Sequence, residues 1–147
     1  MTYVGAPMVY YGDELGMWGS SDPNNRKPML WPDLVPFEDP QSVPDEGMLA
    51  FYRRAIALRR AHPALRTGDF RTVLADDAQD TWVFARAGSG EEVLVALNAS
   101  DRPATVELPG LGGGWRDVFS SPGADDGGPA RATVPPLDGR VWQRAAR

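Results

Sequence analysis

Hydrophobic and polar positions change period along this chain, and each change marks a different kind of element. Met8–Tyr11 is a short apolar run with Gly5 and Pro7 before it and Gly12 after it, the pattern of a buried strand. Residues 17–44 have no period, and Pro23, Pro28, Pro32, Pro36, Pro40 and Pro44 deny them any long helix. So long an irregular stretch inside a compact domain is usually either functional or disordered. Trp18, Trp31 and Phe37 are the anchors that favour a folded binding loop.

From about Asp45 to Ala61 the spacing is helical: Met48, Phe51, Ala55 and Leu58 recur at 3-4-3, with Leu49, Tyr52 and Ile56 widening the stripe. Asp45 or Ser42 can cap it, and His62-Pro63 ends it, because the residue before proline is pushed out of the helical region. From Gly68 the period drops to two. Phe70–Ala75, Thr81–Arg86, Val93–Asn98, Ala104–Leu108, Trp115–Phe119, Ala132–Val134 and Val141–Arg144 are expected as strands. Turn clusters separate them at Asp76-Asp77, Gly88–Gly90, Asn98–Asp101, Gly110–Gly114 and Asp125–Gly128. Many short strands at near-regular spacing suggest an antiparallel sandwich, with Phe70, Trp82, Phe84, Trp115, Phe119 and Trp142 available for its core. The fold class expected is α+β, mainly β.

Composition narrows the partners. At 42% hydrophobic and 24% charged the chain is globular in type, and no run approaches the ~20 apolar residues of a membrane-spanning helix. The net charge of -5, with no basic stripe, argues against nucleic acid or an anionic membrane. Arg53, Arg54, Arg59 and Arg60 cluster at helical spacing, as on a solvated helix face. The absence of cysteine excludes disulfides and thiol chemistry, and favours a cytoplasmic setting without proving one. No cofactor motif or metal cluster stands out; Asp76, Asp77 and Asp80 lack the spacing of a calcium loop and suit a hairpin turn.

Two segments carry a resemblance. Gly5-Ala6-Pro7-Met8-Val9-Tyr10-Tyr11-Gly12-Asp13-Glu14-Leu15-Gly16-Met17 and Asp22-Pro23-Asn24-Asn25-Arg26-Lys27-Pro28-Met29-Leu30-Trp31-Pro32-Asp33-Leu34 resemble the α-amylase superfamily of glycoside hydrolases. Within it they are most similar to the cyclomaltodextrinase, neopullulanase and oligo-α-glucosidase branch. The resemblance implies that residues 1–66 are the terminal strand, loop and helix of a (β/α)8 barrel, and residues 67–147 the β-sandwich called domain C. A whole barrel takes about 250 residues, so the 147-residue chain is expected to be the C-terminal part of a longer, retaining enzyme acting on α-glucans.

The same resemblance places the catalytic carboxylates on absent strands, so no catalytic residue is expected here. Asp13 and Glu14 are adjacent, and neighbouring side chains of an extended segment face opposite ways, so they cannot flank one bond. Asp22 and Arg26 are the candidate substrate-binding residues, since this branch uses an Asp-Pro-x-x-Arg motif to hold a glucose unit. A carboxylate accepts from vicinal hydroxyls while a guanidinium donates to two oxygens in one plane. The competing reading is a salt bridge that merely holds the loop. Trp18 and Trp31 could stack on a pyranose, but packing under the loop is favoured; Tyr10 and Tyr11 are expected to split between opposite strand faces. His62 is expected to be structural. The alternative to an enzyme fragment is a non-catalytic carbohydrate-binding or oligomerising sandwich; a gene remnant without function is a third. An α-glucan oligosaccharide is the expected partner, and homo-oligomerisation is left open.

Overall fold

The computed structural model describes residues 1–37, 42–121 and 128–146; Pro40 and most of the Asp125–Gly128 turn lie outside them. The chain divides into two compact units, Ala6–Ala57 and Met1–Gly5 with Leu58–Arg147.

The larger unit is mainly β, and all seven expected strands are present. These are β1 (Asp69–Asp76), β2 (Thr81–Gly88), β3 (Glu91–Asn98), β4 (Ala104–Glu107), β5 (Arg116–Phe119), β6 (Arg131–Val134) and β7 (Asp138–Ala145). One sheet runs β1-β2-β3-β7-β5 and a second pairs β4 with β6, all antiparallel. The β2–β3 connection is a two-residue turn in which Ser89 and Gly90 both take positive φ (54° and 80°), the geometry whose twist matches a hairpin.

Alternation along β2 and β3 sends side chains to two separate cores. Val83, Ala85, Leu94 and Ala96 meet Val106, Ala132, Val134 and Trp142 between the sheets. Phe84, Val93, Val95 and Val141 pack on the opposite face against Leu58, Ala64 and Leu65. Burial on both faces explains why Val93-Leu94-Val95-Ala96 is continuously apolar. Buried Asn98 ties the loops of this unit together: its amide donates to the carbonyls of Arg102, Val134 and Pro135 (2.7, 3.1 and 3.0 Å), and its Oδ1 accepts from Ser100.

Two helices precede the sheets. In α1 (Glu46–Ala61), Asp45 is the cap, its Oδ1 accepting from the Met48 amide at 2.8 Å. The expected apolar stripe is buried only toward its end: Ala55 and Leu58 are covered, whereas Met48, Phe51 and Ile56 are exposed. The short α2 (Ala64–Thr67) follows His62-Pro63 and was not legible in the sequence. Glu91 meets its start, with Oε1 accepting from the Ala64 amide at 3.0 Å and Oε2 2.9 Å from His62 Nδ1.

Arg59 departs from the expected solvated face. It donates to the carbonyls of Met1, Gly5 and Leu65 (2.6, 2.6 and 2.8 Å). Arg86, fully buried in β2, donates to Thr2, Leu65, Gly68 and Asp69. Its pKa is lowered by burial first and then by the neighbouring Arg59 guanidinium. With Tyr3 set against Phe70, Trp82 and Phe84, these two arginines join residues 1–5 to the sandwich.

Candidate functional site: the loop around Asp22 and Arg26

Met8–Tyr11 forms no ladder in the structure; the run ends in a turn instead of continuing as a strand. A lone strand has no neighbour to take its amides and carbonyls. Gly12 turns the chain at φ 93°, where a side chain would also strike Met17: an added Cβ would lie 2.6 Å from its sulfur. A 3-10 turn, Asp13–Leu15, follows. The Glu14 carboxylate accepts from the Gly12 amide at 3.0 Å, within its own turn.

Tyr10 and Tyr11 do not split to opposite faces. Both rings lie beside one another, 5.0 Å apart, and both hydroxyls reach the same distant loop. Tyr10 Oη donates to the Asn25 carbonyl at 3.1 Å and Tyr11 Oη to the Lys27 carbonyl at 2.9 Å. The expectation of alternation presumed a regular strand, and the chain turns at Tyr11.

Between those anchors the loop closes on itself. The Asn24 amide donates to Ser21 and the Arg26 amide to Pro23, each at 2.9 Å. Arg26 Nε donates to Asp22 Oδ1 at 2.8 Å, and the two side chains are 71% and 66% exposed. This is the one hydrogen bond that the two side chains make among the described residues, so most of the guanidinium's donors and the second carboxylate oxygen face solvent. An exposed ion pair of this kind adds at most about 1 kcal/mol to stability. What it does supply is a preset donor–acceptor fork.

Beside the pair lies an open hollow of about 210 Å³, lined by Tyr10, Tyr11, Asp13, Trp18, Asn24 and Lys27 among others; neither Asp22 nor Arg26 lines it. Trp18 and Trp31 are 57% and 55% exposed, so neither is packed under the loop as expected, because this unit offers little core to receive them. Lys27 Nζ stands 3.1 Å from the centre of the Trp18 ring, a cation–π contact that occupies one face of the indole. Among the described residues no His, Asp and Glu group has the arrangement to hold a metal, and no helix is long and apolar enough to cross a membrane.

The antiparallel sheets are those of a mainly β domain, similar to the C-terminal β-domain of amylase-family enzymes. Residues 70–141 match the maltogenic amylase C-terminal domain model. The chain is 37% identical over 109 residues to a cyclomaltodextrinase of Geobacillus thermopakistaniensis, covering 74% of this chain and 17% of that protein. It is 35% identical over 123 residues to neopullulanase 2 of Thermoactinomyces vulgaris, covering 82% and 20%. In structure it is similar to Ttha1563 of Thermus thermophilus, with TM-score 0.74 and 31% identity over 99% of this chain and 29% of that one. A cyclic α-maltosyl-(1→6)-maltose hydrolase of Arthrobacter globiformis gives TM-score 0.69 and 29% identity over 97% and 27%. The chain thus resembles the C-terminal part of α-amylase-family enzymes, and spans 17–20% of the length of the curated relatives named.

Proposed function

We propose that this chain is the C-terminal part of a retaining α-glucan-acting glycoside hydrolase of cyclomaltodextrinase or neopullulanase type. Residues 1–66 close a (β/α)8 barrel, with Met8–Tyr11 as its last strand once the neighbouring strand is present. Residues 67–147 are domain C. The loop bearing Asp22 and Arg26 faces the substrate, an α-glucan oligosaccharide, and the pair holds one glucose unit beside the cleavage point.

The observation that carries this reading is the state of that pair. It is fixed by one 2.8 Å bond, yet it keeps most of its donors and acceptors open to solvent in a loop with no core of its own to stabilise. A bridge needed only for the loop would be worth little at such exposure. A fork with spare capacity suits a ring of vicinal hydroxyls.

The chain itself does not hydrolyse glycosides on this reading, because glycosidic cleavage takes two carboxyl groups across the bond and the Glu14 carboxylate is engaged by the Gly12 amide. The purified chain is therefore expected to give no turnover of cyclodextrins, maltotriose, pullulan or a chromogenic α-glucoside. Turnover that survives stringent purification and vanishes in Asp13→Asn or Glu14→Gln overturns the assignment.

A further inference from the structure

We infer that Tyr10 and Tyr11 are positioning residues for Arg26, acting as a pair of hydroxyl clamps on the carbonyls to either side of it. This rests on the sugar-holding role proposed for Asp22 and Arg26, and goes beyond it by naming what orients the guanidinium.

The geometry is specific. Asn25 and Lys27 flank Arg26 in sequence, and their carbonyls are the two that the phenols engage, at 3.1 and 2.9 Å across separations of 15 and 16 residues. The Asn25 carbonyl and the Arg26 amide, which is held by the Pro23 carbonyl as well, share the peptide plane that enters Arg26, and the Lys27 carbonyl lies in the plane just beyond the next residue, so the chain is pinned before and after Arg26. The side chain then needs only its Nε–Oδ1 bond to Asp22 to be aimed. Nothing apolar does this work: from Gly19 to Met29 every described side chain is exposed or half-exposed. In a loop without a core, direction comes from hydrogen bonds, and the two hydroxyls supply long-range ones. The Lys27 ammonium on the Trp18 ring adds a further tie one residue after Arg26.

Adjacent tyrosines serve here because the chain leaves its extended path at Tyr11, so neighbouring rings lie side by side instead of on opposite faces. Phenylalanine would keep the rings and their contacts and lose only the clamps, which makes Tyr→Phe a clean probe.

The test uses the full chain, labelled with nitrogen-15, and the Arg26 Nε–Hε signal. In the free protein, Tyr10→Phe/Tyr11→Phe is expected to lower the heteronuclear NOE of that signal and move it toward the position of a solvated arginine. The amides of residues 69–145 and the melting temperature stay unchanged. An Arg26 signal indifferent to both substitutions overturns the clamp. In a titration with maltotriose, the double variant is expected to bind about three- to tenfold more weakly than the parent chain, the range of one or two modest hydrogen bonds. On an Arg26→Ala background the same two substitutions are expected to have no further effect, since they act through Arg26. Additive losses on that background mean that the phenols touch the sugar themselves, and overturn the positioning role. If maltotriose leaves the parent chain's Arg26 signal unmoved, the sugar-holding reading fails and with it the purpose of the clamp. The NOE in the free chain, which needs no sugar, still reports whether the clamp itself exists.

Discussion

The two units of this chain obey different rules of stability. In Leu58–Arg147 with Met1–Gly5, strands buried on both faces feed two apolar clusters, and polar groups such as Arg86 and Asn98 are satisfied by backbone partners. In Ala6–Ala57 the buried apolar residues among those described are Leu15, Leu30 and Ala55, while Met8, Trp18, Trp31 and Phe51 are largely exposed. Its shape comes from turns, a cap and side-chain-to-carbonyl bonds. The difference teaches that a family motif can hold its local geometry without holding a core. Groups with unused hydrogen-bonding capacity persist where burial is slight, as at Asp22 and Arg26.

The comparison is most sharply tested by exchanging like for like. Trp142 is 1% exposed between the sheets and Trp31 is 55% exposed. Trp142→Ala is expected to cost about 3–5 kcal/mol, the usual loss for a buried aromatic. Trp31→Ala is expected to stay within about 0.5 kcal/mol. Urea unfolding followed by circular dichroism measures both. Hydrogen exchange adds the matching view, with slow amides in β2, β3 and β7 and fast ones over residues 6–34. Equal losses from the two substitutions, or equal protection in the two regions, would break the contrast.

A smaller effect concerns how the sandwich keeps its polar groups. The Asn98 side-chain amide shares its two hydrogens among the carbonyls of Arg102, Val134 and Pro135, and its Oδ1 accepts from Ser100 at a buried site. Removing it strands those partners, and Asn98→Ala is expected to destabilise by about 1–3 kcal/mol. Asn98→Asp keeps the acceptor and loses the donors, so it is expected to be no better. Thermal melts of the two variants decide. If aspartate restores the wild-type melting temperature, the donor side of the network carries no weight.

Much of this was legible beforehand, and the limits follow from physics. The β-rich region was readable because its period-two patterns are enforced by burial, and the structure has all seven strands near the expected bounds. The helix and its Asp45 cap were readable for the same kind of local reason. What failed needed tertiary knowledge. Arg59 sits at a spacing that suits a solvated face, and the carbonyls it binds, those of Met1, Gly5 and Leu65, reach it only in the folded chain. The first amide of the four-residue α2 meets a carboxylate from β3, which no window around residue 64 contains. Tyr10 and Tyr11 do not alternate as a strand would, because their segment lacks a neighbouring strand. At the candidate site, Asp22 and Arg26 came from a motif. Their 2.8 Å contact and exposure came from the structure.

The smallest expected effect lies on an exposed turn of the β-rich unit, where hydrogen bonds act as they do in the loop of Ala6–Ala57. Asp76 Oδ1 accepts from the Ala78 and Gln79 amides at 2.9 and 3.2 Å, and Oδ2 from the Gln79 side-chain amide at 2.9 Å. These bonds favour the ionised carboxylate, the Gln79 side chain contributing most, and hold its pKa below the ordinary 3.8. A folded value below the unfolded one means that the charged form stabilises the fold. That contribution is complete above the unfolded value near 4 and is lost as the pH falls through the lower, folded value. Asp76→Asn keeps an oxygen acceptor and deletes the charge. It is therefore expected to melt slightly below the wild type at pH 6, with the gap closing as the pH is taken below 4. Melting curves of both proteins across that window read the effect. A gap that stays constant into acid would mean that the charge on Asp76 contributes nothing, and that this turn is held by geometry alone.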